Sequence, residues 1–213
     1  MIDISALPVF LVAVAALLVV PGPDFLLISS QSVSRGARYG VACSVGIFLA
    51  GVLQTLLVAA GLGKVMETWP VVATAVRLLG AAYLAYLGIK LLLTWCRGRA
   101  VPEQRVPVAT QSAAVLLVVG LANNLLNPKA LLFFSVFIPQ FVDPGLGSPS
   151  AQMAIWGGLL SVLALAYNVL LSLLFSAVRS LRIDVPRLQK HGQGILGVLF
   201  LLLAARLSWA KAA

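Results

Sequence analysis

Two apolar segments, each long enough to cross a membrane, are interrupted by a proline motif that carries one ionisable residue. The interruptions are residues 21–24 (PGPD) and residues 127–129 (NPK). A helix broken within a bilayer leaves backbone polar groups that lipid cannot satisfy, so such breaks line a cavity or pack inside protein. Charge at membrane depth is costly and by default indicates a functional site. The sequence therefore predicts two broken helices, one carrying an acid and the other a base.

The composition predicts an integral membrane protein. The 213 residues are 61% hydrophobic and 10% charged, and the mean hydropathy is +1.05, whereas soluble domains are about 25% charged. The apolar runs are continuous, which favours helices over the alternating strands of an outer-membrane barrel. The length suits about six spans of about 20 residues with short loops.

Runs with few or no charged residues locate the six predicted spans. They cover about residues 4–28, 39–63, 71–95, 113–141, a stretch within 144–178, and 194–209. Arg77 and Lys90 lie near the ends of the third span, where long side chains can reach the interface. The chain starts Met1-Ile2-Asp3 and lacks the positive region that opens a cleavable signal peptide, so the first segment is expected to remain as a span.

Basic residues concentrate in three of the predicted connections. These hold Arg35 and Arg38; Arg97, Arg99 and Arg105; and Arg179, Arg182, Arg187 and Lys190, against Lys64 alone in the others. Positively charged loops stay cytoplasmic, which predicts that both termini face the periplasm or exterior, although Lys211 argues mildly against this. The net charge of +9 is then explained by these loops, and no nucleic acid partner is predicted.

The two halves show a weak internal repeat. Aligning Asp24 with Lys129 places Pro23 on Pro128, with similarly apolar residues following each. Two further correspondences are Gly80 with Gly194 and Lys90 with Arg206. Three spans per half require inverted topology, so one domain is predicted: repeat one over about 1–96, a basic cytoplasmic loop over 97–112, and repeat two over 113–213. Interrupted helices in corresponding positions of inverted repeats indicate the binding site of a secondary transporter.

The first break suits a carboxylate. Pro21 and Pro23 each remove a backbone donor, and Gly22 between them permits unusual dihedral angles. We expect free carbonyls before the break and a new helix N-terminus near Asp24, where the helix dipole favours negative charge. Three roles remain open for Asp24: it binds an ammonium group, it takes up a proton, or it caps the helix at the membrane edge.

The second break repeats this arrangement with the opposite charge. Asn127 and Pro128 precede Lys129, which lies within the hydrocarbon layer by any placement of the span. An ammonium at that depth needs a partner to retain its charge. Two compatible hypotheses follow: a structural ion pair between Lys129 and Asp24, or a site where both meet the two ends of a zwitterion.

Further polar residues at membrane depth are candidates to line the same cavity or to join helices by hydrogen bonds. They are Gln54, Asn123, Asn124, Tyr167 and Asn168. The broken backbones at Gly22 and Asn127 are expected to supply additional ligands. Gly36, Gly40 and Ser44, at four-residue spacing, instead predict close helix packing.

Enzymatic and cofactor chemistry is not predicted. Cys43 and Cys96 have no metal or redox spacing, and His191, the single histidine, lies in a basic loop. There is no phosphate-binding glycine loop and no pair of intramembrane carboxylates. No metal and no cofactor are expected.

Three ordered motifs resemble the LysE/RhtB family of amino-acid exporters. Residues 21–25 (PGPDF), followed by Arg35, Gly36 and Gly40, resemble its first signature; residues 80–84 (GAAYL) and 87–88 (LG) are similar to its third-span pattern. Residues 127–130 (NPKA), 133–134 (FF) and 139–141 (PQF) resemble its second signature. The resemblance covers nearly the whole chain. Val20 departs from it, since many relatives have threonine there, and a possible hydroxyl ligand is lost.

The resemblance implies export of amino acids or close derivatives across a bacterial inner membrane, coupled to the proton gradient. The resulting hypothesis is a six-helix secondary transporter in which Asp24 binds the substrate amine or exchanges protons and Lys129 orients the carboxylate. A neutral substrate is slightly favoured, because no second intramembrane acid is available for a lysine side chain. A passive channel and a metal-efflux carrier of the same superfamily remain alternatives, and a homo-oligomer is an open possibility.

Overall fold

The computed structural model describes residues 2–96 and 111–177, together with residues 194, 197, 198, 200–202, 204 and 205. All regular structure in these ranges is helical. The helices are α1 (Leu7–Val19), α2 (Pro23–Arg35), α3 (Ala37–Val58), α4 (Lys64–Thr68), α5 (Pro70–Cys96), α6 (Ala113–Leu125), α7 (Pro128–Leu132) and α8 (Pro149–Ala177). Short 3₁₀ turns cover Ile4–Ala6, Ile138–Phe141 and Pro144–Leu146, and π-helical turns cover Ala59–Gly63 and Phe133–Phe137.

Both predicted helix breaks are confirmed. Helices Ile4–Val19 and Pro23–Arg35 meet at 56°, and helices Ala113–Leu125 and Pro128–Phe141 meet at 54°. Pro23 and Pro128 occupy the first position of the helix that follows each break. A proline fits there because its missing N–H has no helical partner and its fixed φ suits the helix. Each proline therefore starts a new helix.

The described helices confirm a multi-pass, all-helical membrane protein. Two of them, Ala37–Thr68 and Pro149–Ala177, have the length and hydropathy to cross a membrane, and up to four spans result if each bent pair is one span. Helix α5 covers the third predicted span and, with 27 residues, is about 40 Å long. The predicted sixth span and the basic loop 97–112 lie largely outside the described residues.

The prediction that Lys64 lies in a loop is wrong. The helix that starts at Ala37 continues through the π turn Ala59–Gly63 into α4, so Lys64 is helical. Its ammonium pairs with the Glu67 carboxylate at 3.1 Å. Glu67 also accepts hydrogen bonds from the Ser148 hydroxyl and from the Ser150 N–H, the latter at 3.1 Å. These bonds tie the end of α4 to the start of α8.

Helix α3 packs closely against α6 through glycines. A Cβ atom added at Gly46 would meet the Leu117 carbonyl oxygen and lie 2.8 Å from the Leu121 nitrogen. A Cβ added at Gly120 would lie 3.0 Å from Cys43 Cα. The two backbones are therefore in direct contact, as small residues permit in membrane helix pairs.

The predicted close packing around Gly40 is also confirmed. A Cβ at Gly40 would meet the Ser32 hydroxyl and lie 2.7 Å from the Ser172 hydroxyl, so α2, α3 and α8 converge at this point. Gly36 has another role, because its φ of 101° ends α2 and opens α3 in a backbone region that favours glycine.

An aromatic cluster holds α1 against the segment that follows the second break. The Phe10 ring centroid lies 4.6 Å from that of Trp156 and 5.1 Å from that of Phe141. Trp156 Nε1 donates a hydrogen bond of 3.0 Å to the Phe141 carbonyl oxygen. Offset and edge-on ring pairs of this kind add to ordinary packing. The cluster thus brings α1, the 138–141 turn and α8 together.

Candidate functional site at the paired helix breaks

Asp24 follows the first break and is bound by side chains from the second. Its Oδ1 accepts a hydrogen bond from Asn123 Nδ2 at 2.7 Å. Its Oδ2 accepts from Asn124 Nδ2 at 2.8 Å and from Asn127 Nδ2 at 3.1 Å. The carboxylate also lies in the first turn of α2, where the helix dipole favours negative charge. Neutral donors thus stabilise the charge of this carboxylate.

Lys129 follows the second break and is bound by backbone from the first. Its Nζ donates to the carbonyl oxygens of Leu17 at 2.8 Å and Val20 at 2.7 Å. In a continuous helix the Leu17 carbonyl would accept from the nitrogen of residue 21, but Pro21 has no hydrogen there. Pro21 therefore frees the carbonyl that Lys129 binds. The C-terminal end of α1 also carries partial negative charge, which favours an ammonium.

Asn127 orients both ionisable residues. It is the N-cap of α7, and its Oδ1 accepts from the Lys129 backbone N–H at 3.0 Å. Its Nδ2 donates to Asp24. The side chain is only 4% exposed. One buried amide therefore fixes the start of the helix that carries Lys129 and one oxygen of Asp24.

Two of the alternatives raised by the sequence are wrong in this structure. Asp24 and Lys129 form no direct ion pair; within the described ranges the ion pair is Lys64–Glu67. Asp24 is not the helix cap either, since the N-cap of α2 is Gly22. Both charged groups are instead stabilised by uncharged partners, which the sequence-based argument for an ion pair did not consider.

A cavity of about 80 Å³ adjoins both charged residues. It has room for several water molecules or part of a small ligand. Its polar lining includes Asp24, Asn127 and Lys129; its apolar lining includes Ile47, Phe48, Phe133, Phe134 and Leu160. Apolar walls with a few converging polar groups are typical of small-molecule sites.

The structure brings most of the predicted site residues together. Asp24, Lys129, Gly22, Asn127, Asn124, Tyr167 and Asn168 all line the cavity. Asn123 does not line it but binds Asp24 directly. Gln54 also lies outside the lining; its Nε2 donates to the Asn124 carbonyl oxygen at 3.3 Å. Gln54 is therefore a positioning residue that holds the end of α6.

The backbone carbonyls at the two breaks each accept one hydrogen bond. Gly22 adopts an extended conformation with φ −148° and ψ −169°, which other residues also adopt. Its carbonyl oxygen accepts from the Leu26 N–H at 3.0 Å, and that of Asn127 accepts from Leu131 N at 3.0 Å. One of the two lone pairs of each carbonyl oxygen thus accepts the first hydrogen bond of the following helix. The role of the Gly22 and Asn127 backbones as substrate ligands stays a prediction.

Two cavity residues, Gly51 in α3 and Ser161 in α8, were not identified from the sequence. Both are small and lie within long apolar runs, so neither charge nor helix interruption marks them.

Cys43 is a buried free thiol and Cys96 an exposed one. Within the described ranges, no three His, Cys, Asp or Glu side chains approach closely enough to hold a metal ion.

Comparison with known proteins assigns the chain to a family. The LysE type translocator model matches residues 15–210, which include both helix breaks. The chain belongs to the LysE-type translocator family. The resemblance seen in the three sequence motifs is thereby confirmed.

Individual relatives of this LysE-type translocator match between 80% and 93% of its length. A leucine efflux protein of Salmonella typhimurium is 33% identical over 93% of this chain and 92% of its own. The leucine efflux protein of Klebsiella pneumoniae is 30% identical with the same coverage. An uncharacterized membrane protein of Pseudomonas aeruginosa is 34% identical over 80% of this chain and 78% of its own. No solved structure matches the chain.

Proposed function

We propose that this translocator exports amino acids with small or medium apolar side chains, leucine among them, across the bacterial inner membrane in exchange for protons. The observation that carries the proposal is that Asp24 and Lys129 both line one largely apolar cavity. A zwitterionic amino acid presents one ammonium, one carboxylate and one side chain, and these match an acid, a base and apolar walls. Leucine also appears in the names of the relatives.

Each charged residue retains the capacity to bind one more partner. An ammonium has three protons to donate, and Lys129 uses two of them on Leu17 and Val20. A carboxylate offers about four acceptor positions, and Asp24 uses three, on three asparagines. The substrate carboxylate takes the remaining proton of Lys129, and the substrate ammonium takes the remaining position on Asp24.

Asp24 also provides the coupling to protons. Protonation neutralises the carboxylate and removes its attraction for the substrate ammonium, so proton and substrate compete for one group. A carrier that must exchange one for the other in each cycle is an antiporter. The amide donors around Asp24 do not titrate, so the competition is confined to the carboxylate itself.

The supporting framework is six helices in two inverted repeats with both termini outside. The similar bends of 56° and 54° and the reciprocal bonding of Asp24 and Lys129 support this arrangement. Rocking of one repeat against the other would alternate access to the shared cavity. Since each repeat holds the charged residue of the other, such a motion would change the environment of both together.

The proposal is tested in proteoliposomes loaded with labelled leucine, with and without an imposed pH gradient. The wild-type protein is expected to release leucine faster when the outside is acidic and to exchange label with leucine outside. Asp24→Asn should insert normally but lose the gradient-stimulated release. Asp143→Asn makes the same change at an exposed acid and should behave as wild type. Gradient-driven release by a well-inserted Asp24→Asn, or leucine flux without exchange, as in a passive channel, would contradict the proposal.

A further inference from the structure

Two small residues face each other at the cavity wall. Gly51 of α3 and Ser161 of α8 both line the cavity and are both buried. A Cβ added at Gly51 would lie 2.8 Å from Ser161 Oγ and 3.4 Å from Phe134 Cζ. The helices are therefore so close here that one methyl group would either displace Ser161 or occupy cavity space.

The Ser161 hydroxyl is directed to its own helix. Its Oγ donates to the Gly157 carbonyl oxygen at 2.8 Å, and the residue is 2% exposed. With its proton used in this way, Ser161 contributes to the wall mainly through its size. A wall made of Gly51, Ser161 and the Phe134 ring limits the size of a ligand by steric contact, and it offers few groups that bind a polar ligand.

We infer that Gly51 and Ser161 set the upper size limit of the substrate side chain. The inference rests on the proposed function, because Asp24 and Lys129 must hold the amino and carboxyl groups for the side chain to extend along the apolar lining. The position of the charged ends then fixes how far the side chain can reach before it meets the 51–161 wall. One methylene in an apolar pocket changes discrimination about 10- to 200-fold.

Substitutions at the two residues are expected to change the cavity size in opposite directions. Gly51→Ala adds a methyl group within contact distance of Ser161 and Phe134, so the cavity is expected to narrow. Ser161→Gly removes two heavy atoms from the same wall, so the cavity widens. Narrowing should lower export of leucine relative to alanine by about tenfold. Widening should raise export of phenylalanine relative to leucine.

Matched controls are available on the same two spans. A Cβ added at Gly158 of α8 or at Gly61 of the π turn would meet no atom within 4 Å. Gly158→Ala and Gly61→Ala therefore make the same chemical change as Gly51→Ala without altering the cavity. Both controls should keep the wild-type order of substrates.

The experiment compares initial export rates of labelled alanine, valine, leucine and phenylalanine from proteoliposomes at subsaturating concentration. Thermal stabilisation of the detergent-purified protein by the same four amino acids ranks their binding directly. For any variant that no longer transports, this ranking gives the substrate order. Opposite shifts in Gly51→Ala and Ser161→Gly, absent from the controls, support the inference.

Two negative outcomes remain distinguishable. If the wild-type protein exports these amino acids but both cavity variants keep its substrate order, the size limit is overturned and the proposed function stands. The size limit is equally overturned if Gly158→Ala shifts the order as much as Gly51→Ala. If the wild-type protein neither exports nor is stabilised by any of the four, the proposed function fails, and the inference fails with it.

Discussion

Asp24 and Lys129 form no direct ion pair, yet each accepts or donates hydrogen bonds at the helix break that carries the other. Asp24 accepts from asparagines at the end of α6 and the start of α7, and Lys129 donates to carbonyls at the end of α1. Each break alone would leave unsatisfied polar groups in lipid, and here the polar groups of one break form hydrogen bonds with those of the other. The polar groups of one break cannot move far without leaving those of the other unsatisfied.

Replacing Lys129 should remove both stability and export. Lys129→Met leaves the carbonyls of Leu17 and Val20 without a donor, and hydrogen bonds to charged groups contribute about 1.5–3 kcal/mol each. We expect a lower melting temperature in detergent and export below about a tenth of wild type. Lys64→Met, at an ammonium that is 73% exposed, should change neither, because exposed ion pairs contribute little. Equal behaviour of the two variants would contradict the assigned role of Lys129.

The two prolines of the first break should differ in their effects. Pro21→Ala restores an N–H that can bond to the Leu17 carbonyl and compete with Lys129, so α1 is expected to lengthen. Export should fall while the melting temperature is unchanged or higher, since helix propensity increases. Pro23→Ala changes the first position of α2, where the N–H has no helical partner, and should retain most export. Similar losses in both variants would contradict the freed-carbonyl explanation.

Replacing the Asn127 amide by a hydroxyl should lower export less than replacing it by a carboxylate. Asn127→Ser keeps an effective helix cap but loses the donor to Asp24, so partial export is expected. Asn127→Asp also keeps a cap but places a second carboxylate beside Asp24, and like charges at this distance oppose each other. Export by Asn127→Asp should therefore be the lower of the two, measured at equal amounts of inserted protein. Equal export by the two variants would show that capping alone accounts for this residue, and the reverse order would contradict the predicted repulsion.

Close backbone contact between α3 and α6 should make Gly46 sensitive to a single methyl group. In Gly46→Ala the added Cβ meets backbone atoms of Leu117 and Leu121, which cannot rotate away. Overpacking of this kind costs about 1–3 kcal/mol, so the melting temperature should fall. Gly61→Ala, whose Cβ meets nothing within 4 Å, serves as the control and should not lower it. An unchanged melting temperature for Gly46→Ala would mean that the helices are farther apart than described.

The sequence predicted the helix breaks and most of the polar residues that line the cavity, because proline and intramembrane polar residues are visible without knowledge of packing. It also predicted carbonyls freed by the first break, although not which ones; counting four residues back from Pro21 leads to Leu17. The hypothesis of an Asp24–Lys129 ion pair is wrong because it treated charge as the only partner for charge, whereas side-chain amides and freed carbonyls bind the two charged groups here. Gly51 and Ser161 become relevant only once α3 and α8 are packed, which no local pattern reveals. Lys64 was misplaced because a π turn continues a helix that composition alone would end at Gly63.

In the proposed transport cycle, a proton and the substrate ammonium compete for Asp24. The most direct measurement is proton release from purified protein in weakly buffered detergent when leucine is added, over a range of starting pH. We expect leucine to release protons from the wild-type protein and from Asp143→Asn, and none from Asp24→Asn. Leucine binding to the wild-type protein without proton release, or equal release by Asp24→Asn, would contradict the claim.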